Sequence, residues 1–268
     1  MMQRLVFWFL FIHVFIIGSA QKVDSVKAAA SIRYAHPSGL AKFFIGKNYR
    51  QEWATPVAMP IFYLKNSGLT AEKLGGGMQT KSLQLNDAQG REWALRTVDK
   101  NAKGALPLKM QQNKLVVSVV QDLISASHPY GALIVPTLAK AIDVPTANPR
   151  LYYVPIQNDL GKYDLTFADK VCMLELKDPA PNNVKTISTQ ELLKELQKSP
   201  NNQLTQISVL KARLLDMLIA DWDRHEDQYK WYAKMKTEKK FITYYLRIKT
   251  RLFSSQRAGL FELPLFLS

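Results

Sequence analysis

The densest run of functional groups in the chain is Asp221-Trp222-Asp223-Arg224-His225-Glu226-Asp227-Gln228. In phosphoryl transfer, an Asp on a rigid loop accepts the proton of the attacking hydroxyl. An amide or carboxylate five residues later holds Mg²⁺. Asp223 and Gln228 stand at that spacing. Two other readings compete. Asp223 and Arg224 could pair with each other or with a helix end in an ordinary loop. Asp221, Asp223 and His225 alternate, and on one strand face they could ligate a metal. A calcineurin-like phosphoesterase also begins its site with Asp-x-His, but it needs Gly-Asp and Gly-Asn-His runs as well. The chain contains neither Gly-Asp nor Gly-Asn, so that reading fails.

The elements around this run must present it as a loop. Leu204–Ile219 has the strongest amphipathic helical spacing and leads directly into Asp221, and Tyr229–Ala233 can form a strand after it. Ser188, three residues before Glu191, has capping-box spacing for a helix through Leu196. Further upstream, Gly75-Gly76-Gly77 opens a hairpin-like passage. Ser82–Leu85 alternates, Asn86–Gly90 is rich in turn residues, and Arg91–Val98 resumes a strand. Leu115–Ser127 has helical spacing up to His128-Pro129, because the residue before proline is pushed from helical angles. His128 is expected to form a local hydrogen-bonding corner. A second helix is predicted over Tyr130–Ile142, and strands over Leu151–Ile156 and Lys170–Leu176. Shorter strands are expected at Ser31–Tyr34 and Pro60–Leu64, with the polar segment Gly46–Glu52 between them. The single cysteine, Cys172, falls in an apolar strand and is expected to be core.

Asp216 through Gln228 resembles the catalytic loop of the atypical protein-kinase-like group. That group includes secretory-pathway kinases, HipA-type and CotH-type kinases and phosphoinositide kinases, whose loops read Asp-Arg-His-x-x-Asn or close variants. The stretch from Gly46-Lys47-Asn48-Tyr49-Arg50 to Trp231 is similar to the kinase-like segment of large secreted bacterial envelope proteins. There the segment sits beside a phosphoesterase domain or an outer-membrane barrel. The pieces that carry the resemblance are Gly75–Thr80, Ser82-Leu83, Leu95-Arg96, His128-Pro129-Tyr130 and Asp221–Gln228. It implies an α+β, protein-kinase-like, two-lobed fold with an incomplete C-terminal lobe: a small lobe over 21–179 and a partial large lobe over 180–232. It also implies roles for individual residues. Asp223 matches the catalytic Asp, with Arg224 and His225 supporting it, and Gln228 stands where Asn usually binds the metal. Gly75, Gly76 and Gly77 fit the phosphate loop, where only bare backbone can come close. Arg96 and Lys100 are rivals for the phosphate-binding Lys, Asp122 is the candidate partner carboxylate on the next helix, and Glu175 lies where the hinge meets adenine. The implied cofactors are ATP and Mg²⁺. The implied partner is an outer-membrane barrel or a phosphoesterase. A non-catalytic envelope module on the same fold is the alternative.

Charge and the chain's two ends complete the picture. The chain has 36 Lys+Arg against 22 Asp+Glu, net +14, but nine of the basic residues lie in 230–268 beside only two acids. Residues 21–229 carry a net +6. The basic tail lacks interleaved aromatic platforms and a recognition motif, so nucleic acid is not the expected partner. One cysteine excludes an internal disulfide framework. At the start, Arg4 precedes the apolar run Leu5–Ile17, interrupted only by His13, and Gly18-Ser19-Ala20 offers small residues before Gln21. This predicts a signal peptide over 1–20 and work outside the cytoplasm, which the resemblance implies is the periplasm or the outer membrane. Such a run reaches about 20 Å, short of the roughly 30 Å hydrocarbon core. No later run is long enough to span. After Trp231 the kinase-like pattern expects a metal-binding Pro-Arg-Asp-Arg-Asp-Gln-like segment, and 233–268 lacks one. Possible codons for Tyr245–Phe253, read two bases out of frame, permit Pro-Lys-Asp-Lys-Asp-Gln-Ala-Phe. The expectation is therefore a frameshift near 236–245, an aberrant basic tail, and a poorly stable, inactive product. The coding DNA decides this.

Overall fold

The computed structural model describes residues 24–76, 79–156, 159–178, 180, 184–221, 226, 229–236 and 239–246. Its centre is a five-stranded antiparallel sheet. The strands are β3 (Leu69–Gly75), β4 (Ser82–Asp87), β5 (Glu92–Thr97), β6 (Arg150–Val154) and β7 (Lys170–Leu176), in the order β3-β4-β5-β7-β6. The alternation Ser82-Leu83-Gln84-Leu85 sends both leucines to one face. There they join Leu95, Cys172, Leu174 and Val154 under Phe62, Leu160, Tyr163 and Phe167. The other face sends Val171 and Met173 into a second core with Trp53, Val135, Ala212 and Leu215. Covered on both faces, β7 carries the apolar run Val171-Cys172-Met173-Leu174 in its middle.

The β4–β5 hairpin is held by one side chain. The Asp87 carboxylate accepts hydrogen bonds from Gln89 N (3.0 Å), Arg91 N (2.9 Å), Arg91 Nε (2.7 Å) and Trp93 Nε1 (2.9 Å). Gly90 takes φ +73°, a left-handed angle that suits glycine.

The helices are α1 (Gly39–Phe44), α2 (Arg50–Ala54), α3 (Leu64–Ser67), α4 (Lys114–Leu123), α5 (Val135–Ala141), α6 (Asp164–Phe167), α7 (Thr189–Lys198) and α8 (Gln206–Leu218). Of these, α2, α4, α5, α7 and α8 contribute to the second core, and α3 and α6 to the first. The Asn113 side chain caps α4 by accepting from Leu115 N and Val116 N. A 3₁₀ turn, Ile124–Ala126, carries α4 towards His128-Pro129, where Tyr130 N donates to His128 Nδ1 at 3.1 Å. That is the local corner expected. Pro136 falls in the first turn of α5, and Ser188 and Glu191 complete the capping box of α7. The same apolar cluster contains Val98 and Met173 as well as Leu192, Leu215 and Trp231, so one core runs through 21–179 and 180–232 alike.

Two expected strands are replaced. Ser31–Tyr34 holds a 3₁₀ turn over Ile32–Tyr34, because Ser31 N bonds to Trp53 O and the Tyr34 ring packs edge-on to Trp53 at 5.1 Å. At Pro60–Leu64, strand β2 (Val57–Pro60), paired with β1 (Ser25–Ala28), stops at the proline. Asp159 then accepts from Leu64 N and Lys65 N and starts α3 instead. β9 (Tyr229–Lys236), which runs into the 233–268 segment expected to be aberrant, pairs antiparallel with β10 (Lys239–Leu246) inside that segment. β10 also runs parallel to β8 (Asn202–Leu204). Residues 1–20 and 247–268 lie outside the described residues.

Burial acts to raise the Asp87 carboxyl, but the bonds from Trp93, Arg91 and Gln89 outweigh it and hold it at about 2, below the ordinary 3.8. A carboxyl lowered on folding contributes stability above its unfolded value and loses it as pH falls through the folded one. The urea midpoint of the parent chain should therefore exceed that of Asp87→Asn above about pH 4, and the gap should close towards about pH 2.

Candidate functional site

Gly75, at the end of β3, lies opposite Ser82, which lies opposite Arg96, which lies opposite Met173. These four form one cross-strand row on the sheet face that carries the larger core. A Cβ added at Gly75 meets nothing within 4 Å, so the backbone at that end of the row is bare and open. Gly76 is different. Its φ is +104°, and a Cβ there would come within 2.3 Å of Thr80 O, so the turn itself demands glycine. Gly77 lies outside the described residues.

Arg96 and Glu175 meet. Glu175 is opposite Ala94, one step diagonally from Arg96 on the same face, and Arg96 Nε lies 2.8 Å from Glu175 Oε1. The distance makes an ion pair, although the N–H is poorly aligned for a hydrogen bond. Glu175 is 7% exposed, so this pair closes off the end of β7.

Lys100 and Asp122 lie elsewhere. Lys100 follows β5 and is buried. Its main-chain N donates to Asp99 Oδ1 (2.9 Å), and its carbonyl accepts from Gln121 Nε2 (2.8 Å). Gln121 also donates to Tyr34 Oη and accepts from Ala102 N, which fixes the 99–102 loop against α4. The Tyr34 hydroxyl donates in turn to Asp99 at 2.9 Å, and burial first, then the Asp99 charge, pushes its ionisation well above the ordinary tyrosine value. Asp122 is held by the Arg50 guanidinium, Nη1 to Oδ1 and Nη2 to Oδ2, both at 2.6 Å. So Arg96 is paired with Glu175, and Asp122 with Arg50. Sequence reasoning missed Arg50 as its partner. The two are 72 residues apart, and the only hint was a cation inside the Gly46–Arg50 piece.

The loop with the strongest sequence signature is bracketed by elements of the expected kind. At the end of α8, Ala220 turns left-handed (φ +54°), Asp221 N donates to Asp216 O at 2.9 Å, and both Asp216 and Asp221 are buried. Arg213 Nη1 donates to Asp216 Oδ2 at 3.1 Å. The strand that follows begins at Tyr229. Asp223, Arg224, His225 and Gln228 lie outside the described residues. Cys172 is core as expected: it is fully buried, and burial pushes its thiol up to about 12. Burial also lowers the His128 imidazole below its ordinary value.

Compared with known proteins, the chain matches no family model, no curated protein and no solved structure.

The two glycines should respond differently to a methyl group. Gly76→Ala should cost about 1–3 kcal/mol in urea unfolding, and Gly75→Ala less than about 1 kcal/mol. Equal costs would contradict the assigned turn.

Proposed function

We propose that this chain is a kinase-like, phosphotransferase-related domain of a bacterial cell-envelope protein, exported across the inner membrane, that does not transfer phosphate. The observation that carries the reading is the row Gly75, Ser82, Arg96, in which the glycine turn and a third-strand cation share one sheet face. Kinase-like chemistry places a glycine-rich turn over the phosphates and a cation on the third strand. The order that follows supports the reading: α4 with Asp122, then β6, then β7 with Glu175 near its end, then α8 ahead of Asp223 in the sequence.

ATP with Mg²⁺ would supply the transferable phosphoryl group. The bare backbone of Gly75 and the Arg96 guanidinium would meet its phosphates, Asp223 would accept the hydroxyl proton, and Gln228 would hold the metal. Two observations weigh against turnover. Arg96 is tied to Glu175, and Asp122, the one carboxylate available on α4, is tied to Arg50. The same two pairs favour a second reading, a non-catalytic module that docks to an outer-membrane barrel or a phosphoesterase partner.

A thermal-shift titration of the full chain with ATP and Mg²⁺, alongside Asp223→Ala, tests this. Nucleotide at a hundredfold over its Kd would contribute about 2.7 kcal/mol and raise Tm by roughly 5–10 °C. The expected outcome is no Mg²⁺-dependent rise. A rise that Asp223→Ala abolishes would overturn the inactive assignment.

A further inference from the structure

A cavity of about 1760 Å³ opens between the N-terminal segment, from β1 to α1, and helix α4. Each wall presents exposed apolar side chains among polar ones. Ile32 and Phe44 face it from the N-terminal segment, 77% and 58% exposed, and Leu115 and Val119 from α4, 78% and 50% exposed. Leu115 and Val119 are one helical turn apart, so they form a continuous strip. Around these walls stand Lys27, Arg33, Lys81, Lys103 and Lys114.

The charges in this groove do not cancel. Its lining carries seven cations, these five with Lys100 and Lys170, against three carboxylates, Asp99, Asp169 and Asp122, and Arg50 already holds the last. Among the described residues, none of the five rim cations makes an ion pair. The groove therefore sets two apolar strips within a net positive lining.

Its size decides between occupants. Small-molecule pockets run to about 300–1,000 Å³. A helix of radius about 5 Å and twelve residues, about 18 Å long, fills about 1,400 Å³. We propose that this groove receives an acidic amphipathic helix of a partner protein. Apolar residues at i, i+3, i+4 and i+7 pack between the Ile32–Phe44 wall and the Leu115–Val119 strip, and carboxylates on the flanks meet the rim cations. The proposal stands on the groove alone and does not depend on the kinase-like reading.

The test uses the full chain and a fluorescein-labelled designed peptide, with leucines at that helical spacing and glutamates elsewhere, read by fluorescence anisotropy. The peptide should bind at least about tenfold tighter than a scrambled peptide of the same composition, and added salt should weaken it. Leu115→Asp and Lys114→Glu should each weaken binding by about tenfold or more, while circular-dichroism melts of these exposed-site variants stay at the parent temperature. Equal binding of the scrambled peptide would overturn the proposal, because charge alone would then suffice. Unchanged binding in either variant would also overturn it. So would failure to bind the peptide combined with sedimentation on phosphatidylglycerol vesicles that both variants abolish, which would assign the groove to a membrane surface.

Discussion

The bidentate pair of Arg50 and Asp122 joins α2 to α4 where little water reaches: Arg50 is 6% exposed, and its Nε is also bonded to Gly46 O. A buried ion pair holds only while both partners remain, since either charge left alone there is strongly destabilising. Several layers hang on this junction. α2 brings Trp53 into the core, and the residue beside Asp122, Gln121, clamps the 99–102 loop that leaves β5. α4 also forms one wall of the groove. The N-terminal segment, the exit of the sheet and the groove are thus fixed by one turn of α4.

That junction has a consequence for chemistry. A carboxylate bound through both oxygens to a guanidinium has little left to orient a second cation. Across the sheet, Arg96 turns to Glu175 instead. Arg96 and Asp122 are thereby drawn into pairs that hold the fold, while the backbone of Gly75, in the same cross-strand row as Arg96, stays open. Under the proposed reading, such a scaffold would keep the layout of a phosphate-handling domain while its charges are bound to one another. The reading of a docking module with a kinase-like layout follows from the same pairs.

Local signals were legible in the sequence. β7 was bounded at Lys170–Leu176 by its apolar run, Ser188 and Glu191 announced the start of α7, and His128-Pro129 marked the break after α4. These depend on neighbours a few residues away. What escaped depends on distant partners. Asp159 caps α3 from 95 residues downstream, Trp53 O captures Ser31 N, and Arg50 takes Asp122. The amphipathic helix α8 was legible as a helix, yet Ile207, Leu210, Leu214 and Met217 are exposed along its outer side. Periodicity reveals an apolar face but not what covers it. At the candidate site, sequence picked Arg96 and Lys100 as equals. The register separated them, placing Arg96 in the glycine row and Lys100 beside α4.

The central claim is that Asp122 is committed to the fold through Arg50 rather than held ready for phosphate chemistry. A double-mutant cycle of Arg50→Ala and Asp122→Ala, read by urea unfolding, tests it most directly. The account predicts a coupling of roughly 2–3 kcal/mol. A coupling below about 0.5 kcal/mol would contradict it, because Asp122 would then be available to another cation.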